Sequence, residues 1–260
     1  MSDRKGYRGS RRPQQARLAR MVAFAFAILL PLDIPAVEIY GNFPPVIHAG
    51  EKYVIYSHGL IVEGDDPQPV HPEFGVYDFP AIKEALFKDG GFNLIAHHRP
   101  KGTDPLAYTG TLETWIKRLI SAGVSPENIT LAGFSRGAQM TAQASSRLRA
   151  SGINTALMAL CSNGDFVRSP SVVLGGRVLS IYETTDVVGS CALLARRSEL
   201  TSFEELAIST GRKHGAFFQP RPEWLLPLKA WIGRANPARP ASISGRTQPT
   251  TLRTSRRPAE

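Results

Sequence analysis

The middle of the chain alternates between short apolar runs and longer stretches that carry apolar residues at helical spacing. The first pattern predicts buried strands, and the second predicts helices that pack on them. The predicted strands are Tyr53–Tyr56, Phe92–Ala96, Ile129–Ala132, Ala156–Leu160 and Val178–Tyr182, and the predicted helices are 80–88, 112–120, 136–149 and 223–232. This alternation indicates an α/β fold with a mostly parallel twisted sheet and helices on both of its faces.

The two ends of the chain depart from this pattern. Residues 1–20 are polar and basic, and the apolar run Met21–Leu32 that follows has twelve residues, fewer than the roughly 20 that a bilayer span needs. A basic region before a short apolar run is typical of a signal peptide, so 1–36 is predicted to be a signal peptide or an N-terminal anchor. Residues 234–260 are rich in Pro, Ser, Thr and Arg and predict a disordered basic tail. The folded domain is then 37–233.

The net charge of +9 resides in these ends. Residues 1–20 carry +6 and residues 234–260 carry +5, which leaves −2 for the middle of the chain. A slightly acidic domain argues against a nucleic-acid partner. The signal-like segment predicts an exported protein, periplasmic or secreted. An uncleaved segment would instead mean a membrane anchor, a transient association with membranes, or a cytoplasmic protein.

A G-x-S-x-G sequence, Gly133–Gly137, stands between a predicted strand and a predicted helix. This is the context of a nucleophile elbow, in which a sharp turn exposes a serine hydroxyl, here that of Ser135. A serine needs a base, and His214 is the only histidine after Ser135. Asp186, in the loop after the strand Val178–Tyr182, is the favoured acid that would orient the histidine. Two other carboxylates remain as alternatives for this role, Asp165 and Glu183.

Backbone N–H groups would have to stabilise the negative oxygen that forms during acyl transfer. One is expected from Arg136, the residue after the nucleophile, and the other from Leu60, in the loop after the strand Tyr53–Tyr56. His58 in that loop is expected to support it rather than to transfer protons. The side chain of Arg136 either pairs with a nearby carboxylate, which we favour, or attracts an acidic substrate. His97 and His98 are a poor metal chelate, because neighbouring residues of a strand face opposite sides.

The motifs at His58–Gly59, Gly133–Gly137, Asp186 and His214 together resemble those of the α/β-hydrolase superfamily, over a stretch from about Tyr53 to Ile232. The resemblance implies acyl-enzyme chemistry on an ester, thioester or amide, with no cofactor and no metal. We expect a carboxylesterase-like enzyme with a small-molecule ester substrate. A thioesterase, an acyltransferase or a peptidase would use the same triad, and a non-catalytic binding protein could retain the fold.

Two further features bear on the shape of the site. The segment between the strands Ala156–Leu160 and Val178–Tyr182 leaves no room for a helical lid, so an open cleft is expected. The long loop 61–78 would instead border the oxyanion site and either shape the acyl pocket or be a passive surface loop. Cys161 and Cys191 follow two strands that should be neighbours, and they are expected to form a disulfide or to remain two buried thiols.

Overall fold

A parallel sheet of seven strands runs through the part of the chain that the computed structural model describes, residues 37–161 and 171–234. The strands of these residues, in chain order, are β1 (Ile39–Tyr40), β2 (Tyr53–Ser57), β3 (Val70–His71), β4 (Gly75–Val76), β5 (Asn93–Ile95), β6 (Ile129–Phe134), β7 (Asn154–Met158), β8 (Gly175–Glu183) and β9 (Glu199–Ile208). The order in the large sheet is β1-β5-β2-β6-β7-β8-β9, with all neighbours parallel. β3 and β4 form a separate antiparallel hairpin.

Four helices of the described residues connect successive strands, and a fifth follows β9. They are α1 (Phe79–Phe87), α2 (Pro105–Ser121), α3 (Arg136–Arg147), α4 (Ala192–Arg196) and α5 (Pro222–Gly233). Asp78 caps the N-terminus of α1 and Asp104 caps that of α2, each accepting a hydrogen bond from a backbone N–H of the first turn. In both helices a proline occupies the first turn, where its missing N–H costs nothing.

Apolar side chains of the central strands point alternately to the two faces of the sheet. On β2, Val54 and Tyr56 pack with α1 and α5, in a core that includes Trp224. Tyr53 and Ile55 pack in a second core with α2 and α3. Because both faces are covered, β2 is buried at every position and reads as a continuous apolar run. The predicted fold class, a mostly parallel sheet with helices on both faces, is confirmed.

The structure adds elements that the apolar pattern did not predict and moves several boundaries; the largest shift is at α2, which begins at Pro105 rather than at residue 112. β9 is an edge strand with glutamates interleaved along it and only partial burial, so it lacks a continuous apolar run. The loop 61–78 contains the β3–β4 hairpin. β7 ends at Met158 rather than at Leu160, because Ala159 has a positive φ of 49° that a strand cannot accommodate.

Several sequence predictions lie outside the described residues. These are the signal peptide or anchor at 1–36, nearly all of the tail at 234–260, the absence of a lid around 162–170, and Asp165 as an alternative acid. Among residues 37–161 and 171–234, no helix is both long enough and apolar enough to cross a membrane. The division of the chain into these parts stays a prediction.

Candidate active site

Ser135 occupies a strained turn between β6 and α3. Its φ of 53° and ψ of −119° lie outside the regions that a side chain normally allows. The turn also needs glycine on both sides. A Cβ on Gly133 would come within 2.6 Å of the Gly137 backbone, and a Cβ on Gly137 would come within 2.0 Å of the Ser57 carbonyl oxygen. The G-x-S-x-G sequence therefore has a steric cause: α3 must start directly against the ends of β2 and β6.

Three predicted side chains meet in one hydrogen-bonded chain. The Oγ of Ser135 is 2.8 Å from Nε2 of His214, and Nδ1 of His214 is 2.7 Å from Oδ2 of Asp186. With Nδ1–H donating to the carboxylate, Nε2 is the nitrogen free to accept from the hydroxyl. The Asp186 side chain is 3% exposed and that of His214 is 23% exposed. The acid is therefore shielded while the imidazole edge remains open to a substrate.

Glu183, one of the alternative acids, makes different contacts. Its Oε2 accepts from the backbone N–H of Thr185 at 2.7 Å, and its Oε1 accepts from the N–H groups of Thr210 and Gly211 at 2.8 and 3.0 Å. Burial alone would raise the pKa of Glu183, but the hydrogen bond from the Thr185 hydroxyl to Oε2, together with these backbone bonds, outweighs burial and lowers it. Glu183 thus fastens the loop of Asp186 to the loop of His214.

The two predicted oxyanion donors lie on neighbouring strand ends. Leu60 begins a helical turn just after β2, and Arg136 is the first residue of α3. β2 and β6 pair in parallel up to Ser57 and Gly133, which brings both donors to the same edge of the sheet. Assignment of these two N–H groups to the oxyanion site stays a prediction.

A buried ionic cluster beneath the Leu60 loop was missed by the sequence analysis. Glu63 Oε1 lies 3.2 Å from Nε of Arg99 and 3.3 Å from Nε of Arg136. Two roles were expected for the Arg136 side chain, and these contacts agree with the favoured one, pairing with a nearby carboxylate. The only local signal for Arg99 was a charged residue closely following the apolar strand β5.

His58 contacts Arg99 of this cluster and is fully buried. The backbone N–H of Arg99 donates to its Nε2 at 2.9 Å, so the proton resides on Nδ1, which donates to the Gly59 carbonyl at 2.8 Å. Burial, together with the neighbouring guanidinium of Arg99, lowers the pKa of His58 well below 6.5. A neutral histidine with both nitrogens engaged matches the expected supporting role.

The segment 61–78 lies against His214, the proposed base, through Phe74. Phe74, at the tip of the β3–β4 hairpin, has its ring 6.4 Å from the imidazole of His214. A Cβ on Gly215 would come within 2.8 Å of the Cβ of Phe74, so the glycine after His214 allows this close approach. The hairpin forms a wall beside the imidazole.

Cys161 and Cys191 are joined, with their Cα atoms 5.1 Å apart. The backbone N–H of Gly189 also donates to the carbonyl of Cys161. Both cysteines are buried. The bridge connects the chain after β7 to the loop that carries Asp186.

His97 and His98 face different surroundings. The ring of His97 stacks on Tyr108, whereas Nε2 of His98 is 2.7 Å from the Val62 carbonyl oxygen. Within residues 37–161 and 171–234, no group of three or more His, Cys, Asp or Glu side chains is arranged to hold a metal ion.

Comparison with known proteins bears on the fold. No protein-family model and no curated protein matches the sequence. The monoacylglycerol lipase of Paleococcus ferrophilus matches the structure with a TM-score of 0.52 at 13% identity, covering 69% of this chain and 93% of its own. EstE7, a hormone-sensitive lipase homologue from a metagenome library, matches with a TM-score of 0.50 at 14% identity, covering 71% and 79%. With the sheet order above, these matches show that the chain has the α/β-hydrolase fold.

Proposed function

We propose that this protein is a serine hydrolase that cleaves carboxylic esters through an acyl-enzyme on Ser135. The observation that carries the proposal is the unbroken chain from the Ser135 hydroxyl through His214 to Asp186, with contacts of 2.8 and 2.7 Å. The strained backbone of Ser135 adds support, because strain of this kind persists where the surrounding structure imposes it, as at active sites.

In the first half-reaction His214 Nε2 takes the hydroxyl proton as Ser135 Oγ attacks the ester carbonyl carbon. The carbonyl π electrons move onto oxygen, and the N–H groups of Leu60 and Arg136 stabilise the resulting oxyanion. His214 then gives its proton to the alkoxide oxygen, so that an alcohol leaves and the acyl group stays on Ser135. Asp186 holds the imidazole in the required tautomer and stabilises the imidazolium.

In the second half-reaction a water molecule takes the place of the alcohol. His214 accepts a proton from water, the hydroxide oxygen adds to the acyl carbon, and the proton returns to Ser135 Oγ as the carboxylic acid leaves. These steps use only side chains, backbone N–H groups and water. The matched structures carry the names lipase and hormone-sensitive lipase homologue, which favours an ester over a thioester or an amide.

Hydrolysis of p-nitrophenyl acetate tests the proposal. We expect turnover by the wild type and a loss of about 10⁴-fold or more in kcat for Ser135→Ala, since the nucleophile is gone. Ser121→Ala is the matched control, because Ser121 is an exposed serine at the end of α2, and it should keep wild-type activity. Hydrolysis that survives in Ser135→Ala would contradict the proposal.

We also propose that the protein is exported and loses its N-terminal segment. The buried disulfide between Cys161 and Cys191 supports this, because disulfides persist chiefly in oxidising compartments. N-terminal sequencing of the mature protein should give a start near Val37. A mature chain that retains Met21–Leu32 would contradict cleavage and favour an anchor.

A further inference from the structure

Arg99 is a buried charge that the proposed mechanism does not use. Its side chain is fully buried, and burial lowers its pKa. A guanidinium removed from water must recover its lost hydration through well-placed partners. The identity of those partners therefore indicates what the buried charge is fixed against.

The hydrogen bonds and the ion pair of Arg99 reach one short stretch, the oxyanion loop 58–63, and its guanidinium also lies over the Tyr108 ring, 5.2 Å from the ring centroid. Nη2 of Arg99 donates to the carbonyl oxygens of His58 and Gly59, at 2.5 and 3.4 Å. Nε donates to Glu63 Oε1 at 3.2 Å. The backbone N–H of Arg99 donates to the imidazole of His58, which in turn donates to the Gly59 carbonyl. The Gly59 carbonyl oxygen is thus held from two sides.

The Gly59 carbonyl and the Leu60 N–H belong to the same peptide unit. That unit is planar, and in a trans peptide its C=O and N–H point in opposite directions. Fixing the Gly59 oxygen toward Arg99 therefore fixes the direction of the Leu60 N–H, away from the buried guanidinium. Without these donors the Gly59–Leu60 peptide could rotate about its flanking dihedrals.

Glu63 extends the same control to the second donor. Its Oε1 contacts Arg99 and also Arg136, at 3.2 and 3.3 Å, and its side chain is only 3% exposed. Arg136 carries the other proposed oxyanion N–H. One carboxylate therefore connects the loop of the first donor to the residue of the second.

We propose that Arg99 is a positioning residue for the oxyanion hole, which sets the direction of the Leu60 N–H through the Gly59 carbonyl. This inference rests on the proposed function. It predicts a defect confined to states that carry a negative oxygen, because the Leu60 N–H is used only there.

The test is Arg99→Met, which keeps an unbranched stem and removes the guanidinium. With p-nitrophenyl acetate, kcat should fall about 10- to 100-fold while KM changes by less than about threefold. Arg99→Lys, which can donate to one carbonyl but cannot reproduce the fork, should recover part of the loss. Arg177→Met is the matched control, because Arg177 is also buried but donates to the carbonyls of Trp231 and Arg234 near the end of α5; it should keep wild-type kcat.

A second readout separates positioning from general damage. A trifluoromethyl ketone forms a tetrahedral adduct on Ser135 that carries an oxyanion, whereas the corresponding alcohol binds without one. Inhibition by the ketone should weaken in Arg99→Met in proportion to kcat/KM, and inhibition by the alcohol should not change. Equal weakening of both inhibitors would mean a merely structural role and overturn the proposal.

The outcomes are distinguishable from failure of the proposed function. An active wild type with an Arg99→Met variant that folds and keeps kcat within about threefold overturns the positioning role alone. A wild type that neither hydrolyses the ester nor binds the ketone covalently overturns both. If Arg99→Met shows no cooperative thermal unfolding transition, and so does not fold, the test is made with Arg99→Lys. An unchanged kcat in Arg99→Lys then counts against the proposal.

Discussion

Two buried glutamates hold the two halves of the proposed active site, and they do so in different ways. On the oxyanion side, Glu63 lies against the guanidinium groups of Arg99 and Arg136. On the acid–base side, Glu183 accepts its bonds from Thr185, Thr210 and Gly211, chiefly from backbone N–H groups. The first half depends on an ion pair between side chains that come from distant parts of the sequence. The second half depends on donors that most substitutions leave in place.

The two halves should respond differently to substitution. Deleting one partner of a buried ion pair leaves the other charge without compensation in the interior. A carboxylate held by backbone N–H groups keeps its charge for as long as the loops stay folded. The acid–base half also carries the Cys161–Cys191 bridge. We therefore expect the oxyanion half to be the more sensitive to single side-chain changes and the acid–base half to depend more on backbone and covalent links.

Removing the Cys161–Cys191 bridge should lower the stability of the fold more than the substitutions below. Replacing Cys161 and Cys191 together by alanine should lower the free energy of unfolding by about 3.5 kcal/mol, since the bridge closes a loop with a sequence separation of 30. Because the bridge acts mainly on the unfolded chain, kcat should change by less than about twofold. Urea unfolding and ester hydrolysis measure the two quantities. A large loss of kcat in a stably folded variant would show that the bridge positions Asp186 instead.

The next effect tests the ion pair. Glu63→Gln should lower the free energy of unfolding by about 3 kcal/mol, because Arg99 loses its buried counter-charge. Glu113→Gln is the matched control: Glu113 also contacts two cations, Lys117 and Arg147, but at the surface, and its loss should cost less than about 1 kcal/mol. Equal costs for the two variants would remove the distinction between the buried and the surface pair.

A smaller effect is expected at Glu183, whose carboxylate accepts hydrogen bonds from uncharged donors. Glu183→Gln keeps the size of the side chain but turns an amide NH₂ toward N–H donors, and it should cost about 2 kcal/mol. Activity should fall with it, because the loops of Asp186 and His214 lose their connection. Glu205→Gln is the control, as Glu205 is an exposed carboxylate that also accepts a backbone N–H, that of Cys191. Unchanged activity in Glu183→Gln would contradict the positioning of the two loops by this residue.

Acid should change the stability least. The oxyanion half, through His58, and the acid–base half, through Glu183, should lose stability in different pH ranges. His58 has a pKa well below 6.5 in the folded protein, so below pH 6.5 the unfolded chain takes up a proton that the folded protein does not. Stability should therefore fall as the pH drops below about 6.5, by at most about 1.4 kcal/mol per pH unit from this group. The lowered pKa of Glu183 adds stability above pH 4.5 that is lost only as the pH falls further. His58→Gln should reduce the slope in the first window, to which His97 also contributes because burial lowers its pKa, and leave the second window unchanged.

Much of the fold could be predicted because central parallel strands are buried on both faces. β2, β6, β7 and β8 read as apolar runs for that reason. β9 was not predicted because its edge position leaves charged residues along it. β1 was not predicted because it spans only two residues. Local periodicity carries no information about an element of either kind.

In the candidate site, too, the residues that belong to a local sequence pattern could be predicted, and those that depend on distant contacts could not. Ser135 and His214 were found through a local motif and chain order. Glu183 ends β8 and Asp186 follows three residues later, so the sequence alone favoured Asp186 as the acid and left Glu183 and Asp165 as alternatives. The loop geometry puts Asp186 on His214 and Glu183 on backbone N–H groups. The cluster around Arg99 depends on contacts between residues 36 to 41 positions apart, which no local pattern encodes.

The proposed reaction requires Ser135 to be a nucleophile activated by His214, and mass spectrometry after treatment with a fluorophosphonate measures this reactivity. We expect a single covalent adduct on the peptide that contains Ser135 in the wild type, and a much slower reaction in His214→Asn, which keeps a polar side chain but no base. An intact, folded wild type with no adduct on Ser135, or equal labelling of the His214→Asn variant, would contradict it.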